Sequence, residues 1–180
     1  MSSIAVYCSS SNAIDASFIP IAETIGRGLA RRGHTLIYGG GDVGLMGAAA
    51  RSATEEGGTV VGVIPEKLES REGLYTLADE LIITGTMSER KQTIYKRSDV
   101  FVVLPGGYGT LEEFMEVLTL RHLGYHDQPI ILVNANGFFD TLIGFFDELF
   151  EQKFARVDIR DSAYIATSAD DTLTFLNTLD

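Results

Sequence analysis

The chain has 180 residues, 45% of them apolar and 22% charged, and its 14 Lys and Arg against 25 Asp and Glu leave a formal net charge of −11. This length suits a single domain spanning 1–180, the apolar share excludes an acidic disordered chain, and the negative charge argues against non-specific binding of nucleic acid or of an anionic membrane. One cysteine, Cys8, excludes an internal disulfide framework and a Cys-rich zinc site.

In chain order, short apolar runs alternate with longer helical patterns. Ile4–Cys8 reads as a buried strand. Phe18, Ile21, Ala22, Ile25 and Leu29 then share one helical stripe, which Gly33 stops. Thr35–Tyr38 is a second strand, followed by Gly39-Gly40-Gly41 and an Ala-rich helix over Leu45–Glu56. Thr59–Ile64 is a third strand, cut by Pro65, and Leu81–Thr84 a fourth. Met87–Arg97 is a polar helix, Val100–Leu104 a strand, Thr110–Leu123 a helix, Ile130–Asn134 a strand and Phe138–Phe150 a helix. Tyr164–Ala166 and Ala169–Leu179 close the chain as strand and helix. Strands that are apolar throughout and spaced by helices predict an α/β fold: a doubly wound, mostly parallel, Rossmann-like sheet with helices on both faces. No apolar run approaches the ~20 residues of a membrane span, and Met1–Ser3 lacks a basic leader. The expectation is a soluble, cytoplasmic protein.

In such a fold ligands bind at the carboxyl ends of the strands. The loops there are Ser9-Ser10-Ser11-Asn12, Gly39–Gly44 and Pro105–Thr110. Each leads into a helix, whose N-terminus favours an anion, so together they predict a phosphorylated small molecule. Gly39-Gly40-Gly41-Asp42-Val43-Gly44 formally fits G-x-G-x-x-G, with Glu66 as the ribose-binding acid of a dinucleotide site. It follows the second strand instead of the first, and Pro65 stiffens the backbone beside that acid. Pro105-Gly106-Gly107-Tyr108-Gly109-Thr110-Leu111-Glu112-Glu113 is sharper. Its glycines let backbone approach a ligand, although Thr110-x-x-Glu113 also fits a helix capping box. Glu112 and Glu113 would repel a phosphate there unless cations balance them, and Arg90-Lys91 can supply those. His122 and His126 lack an evident third metal ligand, and none of Lys67, Lys91, Lys96 and Lys153 carries the pattern of a Schiff-base lysine.

With these motifs the chain resembles the LONELY GUY family of cytokinin riboside 5′-monophosphate phosphoribohydrolases, bacterial relatives of which were often labelled lysine decarboxylases. The family's P-G-G-x-G-T-x-x-E stands at Pro105–Glu113 and its G-G-G-x-x-G-L-M-G at Gly39–Gly47. Val61–Pro65, Arg71-Glu72 and Arg90-Lys91 also fit, and the likeness runs from about Ile4 to Phe150. Ser88-Glu89 and Ser70 depart from it: many members have His before x-Arg-Lys and Pro before Arg-Glu.

The resemblance implies that Glu113 and Arg90 are catalytic. It implies that Glu72, Lys91, Gly106, Gly107, Tyr108, Gly109, Thr110, Leu111, Glu112 and Thr119 contact the nucleotide, with Gly40 and Gly41 in the companion loop. The implied substrate is a nucleoside monophosphate of the AMP or isopentenyladenosine monophosphate type, with no metal, no cofactor, no nucleic acid and no membrane. A homodimer is implied too, with the broadly apolar Thr110–Leu123 helix near its interface. The alternative from another class is a non-catalytic nucleotide carrier using the same glycine loops.

Overall fold

The computed structural model describes residues 1–179, without the side chains of residues 70–72. Seven strands form one sheet: β1 (Ser3–Tyr7), β2 (Thr35–Tyr38), β3 (Val60–Pro65), β4 (Glu80–Thr84), β5 (Val100–Val103), β6 (Ile130–Val133) and β7 (Tyr164–Ala166). Their order is β4-β3-β2-β1-β5-β6-β7, and every pairing is parallel. The helices are α1 (Ile19–Arg31), α2 (Gly44–Glu55), α3 (Glu66–Glu72), α4 (Met87–Arg97), α5 (Tyr108–His122), α6 (Asp140–Glu151), α7 (Ile159–Ser162) and α8 (Ala169–Leu176).

The strands are apolar throughout because both faces are covered. Alternate residues of β1 feed opposite cores: Ile4 and Val6 pack with α1, α2 and α8, while Ala5 and Tyr7 pack with α5 and Phe146 of α6. On the first face α1 and α2 touch closely. A Cβ at Gly26 would lie 2.2 Å from the Ala49 carbonyl oxygen, so backbone meets backbone there. The second face carries a stack of rings, with Phe101 parallel to Tyr7 at 6.2 Å and to Tyr95 at 5.9 Å.

Several boundaries differ from the sequence-based expectation for identifiable reasons. Helix α6 begins at Asp140 instead of Phe138, because Asn136 and Gly137 take left-handed φ of 56° and 68° within a preceding 3₁₀ turn. Helix α5 begins at Tyr108, two residues before Thr110, with Gly107 at its N-cap and no side-chain cap. The capping box read at Thr110 and Glu113 is therefore absent. The box belongs to α4, where the Thr86 side chain accepts from Glu89 N–H and Glu89 returns to the Thr86 N–H. Helices α3 and α7 carry little sequence signal: the first has no clear apolar stripe, and the second is a four-residue turn capped by Asp158.

Candidate active site

From β1 the chain winds through β2 and β3 to β4 on one side, then returns to β5 and runs to β7 on the other. The winding reverses between β1 and β5, and a crevice at the carboxyl ends of those two strands is the place such folds offer a ligand. Ser9 N–H donates to Pro105 O at 3.1 Å across it, and Ser9 O accepts from Leu45 N–H at 2.9 Å. Gly44 N–H donates to Asn12 Oδ1 at 2.8 Å. The 9–12 loop thus clips both glycine loops into one edge. A cleft of about 330 Å³ opens there, between Ser9–Ser11, Gly39, Met46 and the first turns of α5.

Arg90 and Glu113 line this cleft, and both are buried, at 7% and 8% exposure. The capping box fixes the start of α4 and so aims Arg90 inward. The guanidinium enters under Gly39, where a Cβ would lie 2.0 Å from Nη2. Its Nε donates to Val63 O at 3.1 Å, and its Nη1 lies 3.9 Å from Glu113 Oε1. A buried cation and carboxylate at this distance compensate one another while both still face the cleft. Tyr7, at the end of β1, lines the same space. Burial, and after it the nearby Glu113, push its phenol well above the ordinary value, so it remains a neutral hydroxyl. Tyr7 belongs to no sequence motif; its place near the end of β1, just before the 9–12 loop, is the one signal that points to it.

The three glycines of the 106–109 run differ in kind. A Cβ at Gly106 would lie 2.1 Å from Thr110 Oγ1, so packing alone demands glycine there. At Gly107 and Gly109 a Cβ would meet nothing within 4 Å, and neither has a positive φ. Both are exposed at the start of a 15-residue helix whose first N–H groups have no intrahelical partner. That combination is an anion seat with bare amides. Thr110 is buried beside it, and Tyr108 is 94% exposed at its rim.

The acids at the seat are balanced one by one. Arg90 pairs with Glu113, and Lys91, the next residue of α4, reaches Glu112 and lies 3.3 Å from Glu116. The hydrogen bond to Glu112 holds the Lys91 ammonium above the ordinary lysine range. Among the expected contact residues, Gly107, Tyr108, Gly109, Thr110 and Glu112 reach the cleft with the Arg90–Glu113 pair. Lys91 stands on its rim through Glu112, and Gly106 forms the wall behind. Others are not brought to it within this chain. Leu111 packs against the α5-side core, Thr119 is exposed three turns along α5, and Gly40 and Gly41 are buried behind Gly39. The Glu72 side chain lies outside the described residues. Among the described residues no group of three or more His, Cys, Asp or Glu could hold a metal ion. His122 instead meets Ser162 Oγ at 3.0 Å and His126 meets Val117 O at 2.8 Å. Among the described residues no helix is long and apolar enough to cross a membrane.

A parallel sheet with an anion seat at its switch point and a buried acid–base pair beside it defines a Rossmann-like nucleotide-site protein. The family model described as "Possible lysine decarboxylase" matches residues 46–176. A probable cytokinin riboside 5′-monophosphate phosphoribohydrolase of Oryza sativa subsp. japonica is 40% identical over 170 residues, 94% of this chain and 69% of the relative. The cytokinin riboside 5′-monophosphate phosphoribohydrolase of Mycobacterium tuberculosis is 42% identical over 170 residues, 94% of this chain and 90% of the relative. The chain belongs to this LONELY GUY family. Among solved structures, the molybdenum cofactor carrier protein of Chlamydomonas reinhardtii superposes with a TM-score of 0.76 at 24% identity, covering 99% of this chain and 97% of that one. That likeness shows the fold alone.

Proposed function

We propose that the chain hydrolyses the N-glycosidic bond of a nucleoside 5′-monophosphate, releasing free base and ribose 5-phosphate. The family places the chain among phosphoribohydrolases, and the observation that carries the chemistry is the Arg90–Glu113 pair, buried 3.9 Å apart beside unhindered helix amides. The 5′-phosphate sits on the N–H groups of Gly107, Gly109 and Thr110, which orient the sugar. As the C1′–N bond breaks, its electron pair leaves with the base and positive charge grows on the ribose. The Glu113 carboxylate stabilises that charge and takes a proton from the attacking water, which forms the new C1′–O bond. The proton that Glu113 takes from water ends, by way of solvent, on the departing base, so the carboxylate is regenerated and the products balance. Arg90, 3.9 Å away, holds the carboxylate in place.

The substrate class follows from the relatives: an adenosine-type monophosphate, with or without a cytokinin side chain. Incubating the purified protein with AMP and with isopentenyladenosine 5′-monophosphate, and following the base by chromatography, tests the reading. Release of base from at least one is expected; tight binding of both with no release would reassign the chain as a carrier.

The working unit is a homodimer in the cytoplasm. Support for the dimer comes from apolar surface around α5: Tyr108, Met115, Leu123 and Tyr125 are 94%, 40%, 67% and 72% exposed, a concentration that marks protein contact. Sedimentation at twice the 19.6 kDa chain mass is expected, and a monomer at micromolar concentration would refute it. The compartment rests on the nucleotide substrate and a lone, buried cysteine; a reporter fusion that co-fractionated with membranes would refute it.

A further inference from the structure

The turn between β6 and α6 carries Asn136-Gly137, an exposed asparagine followed directly by a glycine. Both stand in the left-handed region, at φ 56° and 68°. Asparagine tolerates that conformation, and a Cβ at position 137 would lie 2.6 Å from Asp140 Oδ2, so the turn suits this pair. The chain has four asparagines, and the other three are held by their side chains. Asn12 Oδ1 accepts from Gly44 N–H at 2.8 Å, and Asn177 Oδ1 from Arg32 Nε at 2.8 Å. Asn134 Oδ1 accepts from Phe139 N–H, and its Nδ2 donates to Asp140 Oδ1, both at 2.7 Å. Among the described residues no group hydrogen-bonds the Asn136 side chain. Alanine or threonine follows each of the other three, and its Cβ shields the next backbone nitrogen. Gly137 has no such shield. Its N–H donates to Asn134 O at 3.3 Å, longer than an ordinary bond.

A short exposed turn closed by so long a bond opens locally at little cost, and Gly137 N then reaches Asn136 Cγ. We propose that Asn136 is a site of spontaneous covalent modification, deamidated by the backbone nitrogen of its own neighbour, Gly137. That nitrogen gives its proton to solvent hydroxide and forms a bond to Asn136 Cγ. The Cγ–Nδ2 bond breaks, and ammonia leaves with a proton from water. Water then opens the cyclic imide. Opening at Cγ gives aspartate; opening at the α-carbonyl gives isoaspartate, whose backbone runs through Cβ and Cγ. The sum is asparagine and water to acid and ammonia, with no enzyme, metal or oxidant. Either product puts a carboxylate near Asp140, and like charges repel. Isoaspartate also lengthens the backbone just before Phe138 and Phe139. Phe139 is buried in the core, and Phe138 meets Phe18 edge-on at 5.6 Å. The modification therefore loosens the start of α6, whatever reaction the chain catalyses.

Peptide mapping tests it. The purified protein is held in warm, mildly alkaline buffer, and samples taken over time are digested and read by fragment-ion mass spectrometry. At position 136 the amide NH2 is expected to give way to OH in a growing share of molecules, as separable aspartyl and isoaspartyl forms. The conversion should quicken as pH rises, while Asn12, Asn134 and Asn177 stay intact. The melting temperature should fall as the modified share grows. Asn136→Gly keeps a residue suited to the positive φ but lacks the amide, so its melting temperature should hold over the same incubation. Asn136 that stayed intact in the folded protein while converting in denaturant would overturn the proposal, because the fold would then protect it. Conversion of all four asparagines at similar rates would also overturn it, because the turn would then confer no selectivity.

Discussion

Glu113→Gln is expected to lower base release from a nucleoside monophosphate by about 10²–10³-fold, the usual loss when one charge-stabilising group is removed. Glutamine keeps the shape and the packing against α4 but carries no negative charge for the developing ribose cation and no basic oxygen for water. The N–H groups at the start of α5 are untouched, so calorimetric titration should still find nucleotide binding within a few-fold of the parent. The two readouts together distinguish a chemical role from a structural one. Loss of both, with a lowered melting temperature, would mean that Glu113 chiefly compensates the buried Arg90; unchanged turnover would remove Glu113 from the reaction altogether. Arg90 is buried as deeply, at 7% exposure against 8%. In the variant it keeps its Val63 carbonyl and loses its counter-charge, so part of any stability loss is the cost of an unpaired buried cation.

Much of this arrangement was legible in the sequence because the signals were local. The wholly apolar β5 and β6 announced a covered parallel sheet, and the polar Met87–Arg97 helix appears with the bounds its pattern predicted. What failed to be legible depends on residues far apart in the chain. Thr110-x-x-Glu113 has the spacing of a capping box, yet Glu113 turns to a cation on another helix, and Gly107 caps α5 instead. Gly40 and Gly41 share a motif with Gly39, yet only Gly39 faces the cleft, because Arg90 passes beneath it. Tyr7 carries no motif at all; only the parallel pairing of β1 with β5, whose chain leads into α5, brings it beside Glu113. Pairing rules predicted that Arg90 and Lys91 would offset the two acids, but not which cation meets which acid; that needed the α4–α5 geometry.

Gly109→Ala separates folding from function in the opposite sense. Nothing in the protein lies within 4 Å of the added methyl, and the residue already sits in a helix. Alanine is favoured over glycine in helices by up to about 1 kcal/mol, so the melting temperature should hold or rise. A ligand seated on the Gly109 amide, however, would meet the methyl. Displacing a substrate by about an ångström can cost roughly 10²-fold in rate, and a loss of that order in kcat/KM is expected for every nucleotide tried, since all share the phosphate. Gly106→Ala is the contrast: its methyl would strike Thr110 Oγ1, so stability and activity should fall together. If Gly109→Ala proved both stable and fully active, the phosphate would have to rest elsewhere than on the start of α5, and Glu113 would lose its position opposite the anomeric carbon. A glycine that neither packing nor backbone strain requires is therefore the sharpest test of whether a ligand rests on the start of α5.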